Sequence, residues 1–182
     1  HITAGFTDYN IDLQPCSDFI LQYGHVQTLS EKLQAKIDEL GEDASSCQDP
    51  YETGGEEYQN CSYSNLKIEV TAGENLGTTG GVQNQYALDI GAVDYREIQN
   101  EFASEDMIDG GSDLFYKVCA IDYFEPGIKA EIEAFFGNYS GSNQRTIEPL
   151  CGDVVQEQAG TALGRWFKPG EDYYPEDNHL AL

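Results

Sequence analysis

The sequence predicts a mainly β fold with two helices. Short runs in which polar and apolar residues alternate recur along the chain, a pattern typical of half-buried strands. Only two stretches carry apolar residues at helical spacing, and glycine-rich segments separate the shorter runs. With 182 residues, the chain can bury a sizeable core. We expect a small β-barrel or sandwich over residues 1–96 and a second β-rich half over residues 97–182, continuing beyond the chain end.

The first half opens with two predicted strands and a predicted helix. Residues 8–13 alternate polar and apolar side chains, and residues 18–23 form a second strand-like run. Thr28 and Glu31 have the spacing of a capping box, and Gly41 occupies a position where helices commonly end. Between them runs one apolar stripe at helical spacing, made of Leu29, Leu33, Ile37 and Leu40.

The rest of the first half is predicted to consist of loops and strands. An acidic insertion covers residues 42–63 and has no apolar periodicity. Strands are expected over residues 64–70 and 85–93. The glycine-rich segment 72–81 lies between them, and its closely spaced glycines suit a sharp corner at which the backbone adopts positive φ angles.

The second half contains the other predicted helix among short strands. Residues 125–136 carry Pro126 in the first turn and are followed by Gly137, with apolar residues at helical spacing between them. We place the aromatic pair Trp166 and Phe167 in the core. Strands are predicted over residues 114–121, 153–158, 161–167 and from 180 onward.

The charge of the chain restricts its partners. Asp and Glu number 33 against 9 Lys and Arg, which gives a formal net charge of −24. Such a field repels nucleic acids and anionic membrane surfaces. No apolar run approaches the roughly 18 residues of a membrane span, so no membrane insertion is expected. The expected partner is a glycan, a peptide or a protein neighbour, including further copies of the chain in a homo-oligomer.

Five cysteines bear on the cellular compartment. Cys47 and Cys61 flank part of the acidic insertion, where a disulfide would restrain a segment that packing does not hold. Cys119 and Cys151 end two predicted strands and form the second candidate pair, which leaves Cys16 over. Acidic loops and twelve tyrosines favour an oxidising, extracellular or cell-surface setting over reduced cysteines in the cytosol.

Two further features agree with secretion. Asn60 and Asn138 each begin an Asn-X-Ser sequence within a predicted loop, which makes both candidate glycosylation sites of a glycoprotein. The chain begins at His1 without Met and stops where a strand is predicted to begin. We therefore expect these residues to belong to a longer precursor.

Three segments of the first half occur in a recognisable order. They are Tyr-Gly-His-Val at 23–26, Val-Thr-Ala-Gly-Glu-Asn-Leu-Gly-Thr-Thr-Gly at 70–80, and Tyr-Ala-Leu-Asp-Ile-Gly at 86–91. In order and spacing they resemble the lysostaphin-type zinc endopeptidases, a peptidoglycan-cutting family built on a small β-barrel. The resemblance covers residues 7–95 and implies a peptidase-like barrel for the first half.

The same resemblance indicates what this sequence lacks. By position, His25 corresponds to a catalytic histidine and Asp89 to a zinc-binding histidine of the family, and Ala87 replaces a further catalytic histidine. The upstream His-x-x-x-Asp motif that supplies the other zinc ligands is not visible. A catalytic zinc needs three protein ligands and an open position for water, so Asp89 is a metal ligand only if zinc is present. Otherwise His25 is expected to be a hydrogen-bonded scaffold residue.

These residues lead to a functional prediction with two alternatives. We expect a non-catalytic, secreted or cell-surface binding or structural protein, without cofactor, on a metallopeptidase-like scaffold that lacks its zinc ligands. One alternative is an active zinc cell-wall endopeptidase whose first ligand motif lies upstream of residue 1, with His25 catalytic. The other is a subunit of an extracellular assembly or filament. Asp106, Asp109 and Asp113 form a loose calcium candidate without the spacing of a known calcium loop.

Overall fold

The structure, a computed structural model, divides the chain into two compact units. The first unit comprises His1–Leu13 and Gln22–Ile90, and the second comprises Gln14–Leu21 and Gly91–Leu182. The residues that the structure describes are 2–3, 6–41, 46–53, 55–81, 86–97, 99–103, 105–108, 111–138, 140–158, 160–167 and 179–181.

Strands dominate the described residues, and both predicted helices are present. Helix α1 covers Glu31–Leu40 and helix α2 covers Pro126–Glu133. Short 3₁₀ helices cover Glu105–Met107, Asp113–Tyr116 and Ala120–Tyr123. The strands, in chain order, are β1 (Ile2–Thr3), β2 (Phe6–Thr7), β3 (Tyr9–Cys16), β4 (Phe19–Leu29), β5 (Ser46–Cys47), β6 (Tyr51–Thr53), β7 (Glu56–Tyr58), β8 (Cys61–Ser62), β9 (Gly77–Thr79), β10 (Asp89–Asp94), β11 (Lys117–Val118), β12 (Arg165–Phe167) and β13 (His179–Ala181). The predicted mainly β fold with two helices is confirmed.

The strands are arranged in open sheets. The largest has the order β11–β10–β4–β3, and β9 pairs antiparallel with β4. Two-stranded sheets are formed by β1–β2, β5–β8, β6–β7 and β12–β13. Among the described residues no closed barrel forms, so the small barrel expected for the first half is replaced there by open sheets.

Helix α1 forms where it was predicted but has a different cap. Its N-cap is Ser30, whose Oγ accepts a hydrogen bond from the backbone N–H of Leu33 at 3.4 Å. The expected cap, Thr28, lies in β4, and its hydroxyl is hydrogen-bonded to the hydroxyl of Thr78 in β9. Gly41 ends the helix at a φ angle of 72°, which glycine adopts without a steric penalty.

Two strands predicted in the first unit are wrong in extent. Residues 64–70 form no strand, since Asn65 and Lys67 have left-handed φ angles of 56° and 52° that interrupt an extended backbone. The strand expected over residues 85–93 begins only at β10, because Tyr86 has a left-handed φ angle of 51°. Residue 85 lies outside the described residues.

The glycine-rich segment 72–81 makes the expected corner and supplies β9. Gly73 and Gly80 have φ angles of 79° and 150°. Gly77 lies so close to β4 that a Cβ atom there would be 2.1 Å from the Thr28 carbonyl oxygen. Only glycine allows this approach of the two strands.

The acidic insertion contains paired strands as well as loop. A disulfide between Cys47 and Cys61 joins the paired strands β5 and β8. Between them β6 and β7 form a hairpin in which Tyr51 faces Tyr58, with ring centroids 5.8 Å apart. Residues 42–45 of the insertion lie outside the described residues.

The second unit is held by an aromatic cluster. Phe102 and Phe115 meet edge to face with ring centroids 5.8 Å apart, and Ile108 packs with them. Phe115 is only 1% exposed. Partly buried residues surround this cluster, namely Leu114, Tyr116, Val154 and Val155.

Of the four strands predicted for the second half, one is absent, two are shorter than expected, and the strand expected from residue 180 onward is present as β13. Residues 114–121 hold only the short β11 between two 3₁₀ helices, and Ser112 caps the first of these by accepting a hydrogen bond from the Leu114 N–H at 3.2 Å. Residues 153–158 form no strand. The strand expected at 161–167 shrinks to β12, which pairs with β13. Trp166 is 52% exposed, so its placement in the core is wrong.

Candidate functional site

His25 has an irregular backbone within strand β4. Its φ angle is 60°, in the left-handed region that residues other than glycine seldom adopt. Next along the chain, the pairing of β4 with β9 shifts register between Val26 and Thr28. Bulges and strained backbone positions of this kind re-aim side chains and cluster at functional sites. This irregularity marks His25 as a candidate functional residue.

The His25 imidazole lies between two carboxylates of the first unit. Its Nδ1 is 2.8 Å from Oδ2 of Asp8, the residue between β2 and β3. Its Nε2 is 3.4 Å from Oδ2 of Asp89, the first residue of β10. Asp8 is buried, whereas the Asp89 side chain is 76% exposed. One ring therefore links a buried carboxylate with an exposed one.

Gly24 leaves room for this arrangement on the neighbouring strands. A Cβ atom at Gly24 would lie 3.2 Å from Cβ of Asp89 and 3.3 Å from Oδ1 of Asn10. Both contacts are tighter than side chains normally make. The glycine thus lets Asp89 approach the strand that carries His25, which sequence inspection of the Tyr-Gly-His-Val segment did not reveal.

The contacts define how the His25 ring carries its protons. An ionised carboxylate only accepts hydrogen bonds, so the contact with Asp8 places a proton on Nδ1. In the neutral ring, Nε2 is then the acceptor nitrogen, and it lies opposite the Asp89 carboxylate. In the protonated ring, both nitrogens carry protons and one faces each carboxylate.

These residues do not fit a catalytic zinc site. Asp8 and Asp89 lie on different nitrogens of one ring, so the two carboxylates and the ring do not converge on a single cation. His25 and Asp89 would offer two protein ligands where a catalytic zinc needs three. Across the described part of the chain, no group of three or more His, Cys, Asp or Glu side chains could hold a metal ion.

A second buried carboxylate, Asp94, lies in the second unit at the end of β10. It is 1% exposed, and it accepts hydrogen bonds from Nε and Nη2 of Arg96 at 2.8 and 2.6 Å and from the Tyr123 hydroxyl at 2.7 Å. The Arg96 guanidinium holds the pKa of Asp94 well below its ordinary range. Burial, with Asp94 beside it, raises the pKa of Tyr123 to about 12. Because both Asp94 oxygens are paired, we assign this cluster a structural role.

Both predicted cysteine pairs are disulfides. Cys47 is joined to Cys61 in the first unit, and Cys119 to Cys151 in the second. Cys16 carries a free, exposed thiol. Two disulfides fit a protein of an oxidising, extracellular environment. Within the described ranges, no helix is both long and apolar enough to cross a bilayer.

The two candidate glycosylation sites remain predictions. Asn60 directly precedes the disulfide-bonded Cys61. Asn138 is exposed and donates a hydrogen bond from Nδ2 to the Ser142 hydroxyl at 3.1 Å.

The three aspartates of the calcium candidate are only partly described. Asp106 lies in a 3₁₀ helix, Asp113 begins another, and Asp109 lies outside the described residues. Asp113 accepts a hydrogen bond from the Tyr95 hydroxyl, which raises the pKa of Tyr95 to about 12. This pairing gives Asp113 a structural partner.

Sequence inspection singled out His25 and Asp89 and missed Asp8. The structure brings all three together. Ala87, which the resemblance aligns with a further histidine of the lysostaphin-type endopeptidases, forms an isolated β-bridge with Gly80. Asp8 begins the alternating run 8–13, where a polar residue reads as the exposed side of a strand. Its burial depends on packing that the local pattern does not encode.

The comparisons with known proteins give no relatives. A scan against protein-family models and searches of curated proteins and of solved structures all return no match for this chain. The resemblance to lysostaphin-type endopeptidases therefore stays a prediction from three short segments.

Proposed function

We propose that the protein is a non-catalytic, secreted or cell-surface binding protein whose partner is a positively charged polypeptide. The non-catalytic part of this proposal is supported by the His25 ring, which contacts Asp8 through Nδ1 and faces Asp89 through Nε2. A ring used in this way ties β4 to its neighbours. It leaves a zinc ion too few ligands for the family's hydrolytic chemistry.

The charge of the chain supports a cationic partner. A net charge of −24 attracts basic polypeptides and accelerates their association, and it offers nothing comparable to a neutral glycan. The disulfide-closed segment 47–61 concentrates this charge, because it contains four acidic residues and no Lys or Arg.

The hairpin within that segment carries a local electrostatic penalty. Glu52 and Glu57 are direct partners across β6 and β7. Like charges in this position destabilise a strand pair. A basic partner would relieve the repulsion, which supports a surface adapted to binding such a partner.

The extracellular part of the proposal is supported by the two disulfides. The Cys47–Cys61 bridge closes the acidic hairpin segment, and the Cys119–Cys151 bridge spans 32 residues of the second unit. Bridges of this kind persist outside the reducing cytosol. Secretion places the acidic surface where basic polypeptides of a cell envelope or matrix are accessible.

One experiment tests binding and catalysis together. The protein is mixed with a cross-linked peptide of glycine, alanine and lysine, with and without added zinc, and with a matched peptide in which glutamate replaces lysine. Fluorescence anisotropy follows binding at several salt concentrations, and mass spectrometry follows cleavage. We expect the lysine peptide to bind, more weakly as salt rises, and to stay intact.

The outcomes separate the proposed function from its alternatives. Zinc-dependent cleavage that disappears in His25→Ala contradicts the non-catalytic role and favours the endopeptidase. Equal binding of the lysine and glutamate peptides contradicts the cationic partner. A concentration-dependent increase in mass without peptide binding favours the assembly subunit.

A further inference from the structure

Strand β3 forms an open edge of the largest sheet. It lies at one end of the order β11–β10–β4–β3, and within the described ranges β4 is the one strand that pairs with it. Nor does any described loop or turn form a backbone hydrogen bond with the stretch Tyr9–Leu13. Every second N–H and C=O group of this stretch therefore points away from β4 and is available to a further strand.

Natural sheet edges are commonly protected against such pairing, but this stretch is not. At the other end of the sheet, β11 has only two residues and begins with Lys117. Tyr9–Leu13 contains no Lys, Pro or Gly, and its residues alternate between half-buried and exposed positions. Pro15, which has no N–H, limits the edge on the C-terminal side. The stretch thus combines a free edge with a sequence that suits strand pairing.

The sequence Tyr9–Leu13 is complementary to itself in one antiparallel register. When the pairing is centred on Ile11, that residue lies opposite its own copy. Tyr9 of each copy then lies opposite Leu13 of the other, so that apolar side chains meet on one face. On the other face, Asn10 lies opposite Asp12, and its amide can donate a hydrogen bond to the carboxylate. Both faces are matched in this register.

The neighbouring registers are less favourable. A register centred on Asp12 places two aspartates opposite each other. A register centred on Asn10 places Asp8 of each copy opposite Asp12 of the other. Like charges in these positions destabilise a strand pair. Registers shifted by a single residue oppose the apolar face of one strand to the polar face of the other. Pairing centred on Ile11 is therefore the preferred one.

We propose that two copies of the chain associate through antiparallel pairing of β3, centred on Ile11, into one continuous sheet. This dimer does not depend on the cationic partner proposed above. Its interface is small and each copy carries a net charge of −24, so association is weak at low salt and tightens as salt screens the repulsion. Binding of a cationic peptide has the opposite dependence on salt.

Single cysteines test the register directly. In a Cys16→Ser background, Ile11→Cys places two thiols opposite each other, with Cα atoms about 4.5–5.5 Å apart, a distance that a disulfide spans. Asn10→Cys and Asp12→Cys are controls at more exposed positions. In the proposed register the two copies of either control cysteine are offset by two residues along the strands, beyond the reach of a disulfide.

The three variants are oxidised briefly with copper phenanthroline, and non-reducing electrophoresis follows the cross-linked dimer. Mass spectrometry identifies the bridged residues. We expect Ile11→Cys to cross-link about tenfold faster than either control, because pairing raises the effective concentration of its thiols alone. Circular dichroism verifies folding. If Ile11→Cys is unfolded, the double variant Asn10→Cys with Asp12→Cys replaces it, since these two residues lie opposite each other in the dimer.

Sedimentation velocity over a range of protein and salt concentrations measures the association itself. Asn10→Asp places like charges opposite Asp12 twice in the dimer, and Asn10→Lys places opposite charges there. We expect the first to weaken dimerisation about fivefold and the second to strengthen it about fivefold. Asn75→Asp and Asn75→Lys make the same changes in net charge at an exposed position of the first unit, and each should change dimerisation by less than about twofold.

Three results would overturn the dimer. They are a monomer at every protein and salt concentration, cross-linking of a control cysteine at the rate of Ile11→Cys, and equal effects of the Asn10 and Asn75 substitutions. Each leaves the binding of a cationic peptide untouched. Conversely, failure of the parent chain to bind the lysine peptide contradicts the proposed function and leaves the dimer standing.

Discussion

The Cys119–Cys151 disulfide should dominate the stability of the second unit. Its cysteines are 32 residues apart in sequence. In the chain-entropy description, closing a loop of this length in the unfolded state contributes about 3.7 kcal/mol at 25 °C. The double variant Cys119→Ala with Cys151→Ala should lose this contribution, because the unfolded chain regains the freedom that the bridge removes.

Urea unfolding measures the effect through a natural reporter. Trp166 is the single tryptophan, lies in the second unit and donates a hydrogen bond from Nε1 to the Ala162 carbonyl at 3.0 Å. We take the free energy of unfolding to fall by about 2 kcal/mol per M urea. The midpoint of the fluorescence transition should then be about 2 M urea lower in the double variant than in the parent chain.

Cys16→Ala is the matched control, since Cys16 has a free, exposed thiol. Its free energy of unfolding should differ from that of the parent chain by less than about 0.5 kcal/mol. If the double variant unfolds at the same urea concentration as this control, the disulfide does not constrain the unit and the reasoning is wrong.

Three further substitutions test particular contacts. Phe115→Ala should lower the free energy of unfolding by about 3–5 kcal/mol in the same urea assay, and a loss below about 1 kcal/mol contradicts its place in the core. The pKa of Asp94 is lower in the folded state than in the unfolded chain. The ionised carboxylate therefore makes its full contribution to the free energy of unfolding above about pH 4, and this contribution is lost in more acidic solution. The stability difference between the parent chain and Asp94→Asn should therefore shrink on acidification, and a constant difference would rule out the Arg96 pairing. Gly77→Ala should open the β4–β9 pairing and speed amide exchange, whereas Gly127→Ala in α2, where a Cβ meets nothing within 4 Å, should not.

The helices were the most predictable elements, because their signals are local. Pro126 begins α2 where proline is tolerated, and Gly41 ends α1. The cap of α1 was misplaced by two residues, since Thr28 is drawn into β4 by its pairing with β9. Local sequence signals thus predicted the position of the helix, whereas the pairing of β4 with β9 determined which residue caps it.

The strands were less predictable where the backbone leaves the extended region. Asn65 and Lys67 lie in an apolar–polar alternation, yet their left-handed φ angles break the strand. Residues 114–121 are apolar enough for a strand, but Ser112 caps a 3₁₀ helix there and Phe115 enters the aromatic cluster. Alternation alone does not distinguish a strand from a tight turn that buries the same side chains.

The candidate site was predictable in part. His25 and Asp89 were found by resemblance, and the disulfide pairs by spacing and loop composition. The contact between Asp8 and His25 could not be predicted from the sequence. It depends on how the chain before β3 is placed next to β4 in the folded structure.

The central claim is that His25 ties carboxylates together in place of binding a catalytic metal. Nitrogen-15 NMR of the imidazole, recorded before and after one equivalent of zinc, tests this directly. The account predicts a protonated Nδ1 bound to Asp8 and no shift of the His25 ring resonances on addition of zinc. A coordination shift at Nε2 that saturates at one equivalent and is lost in Asp89→Asn would contradict it.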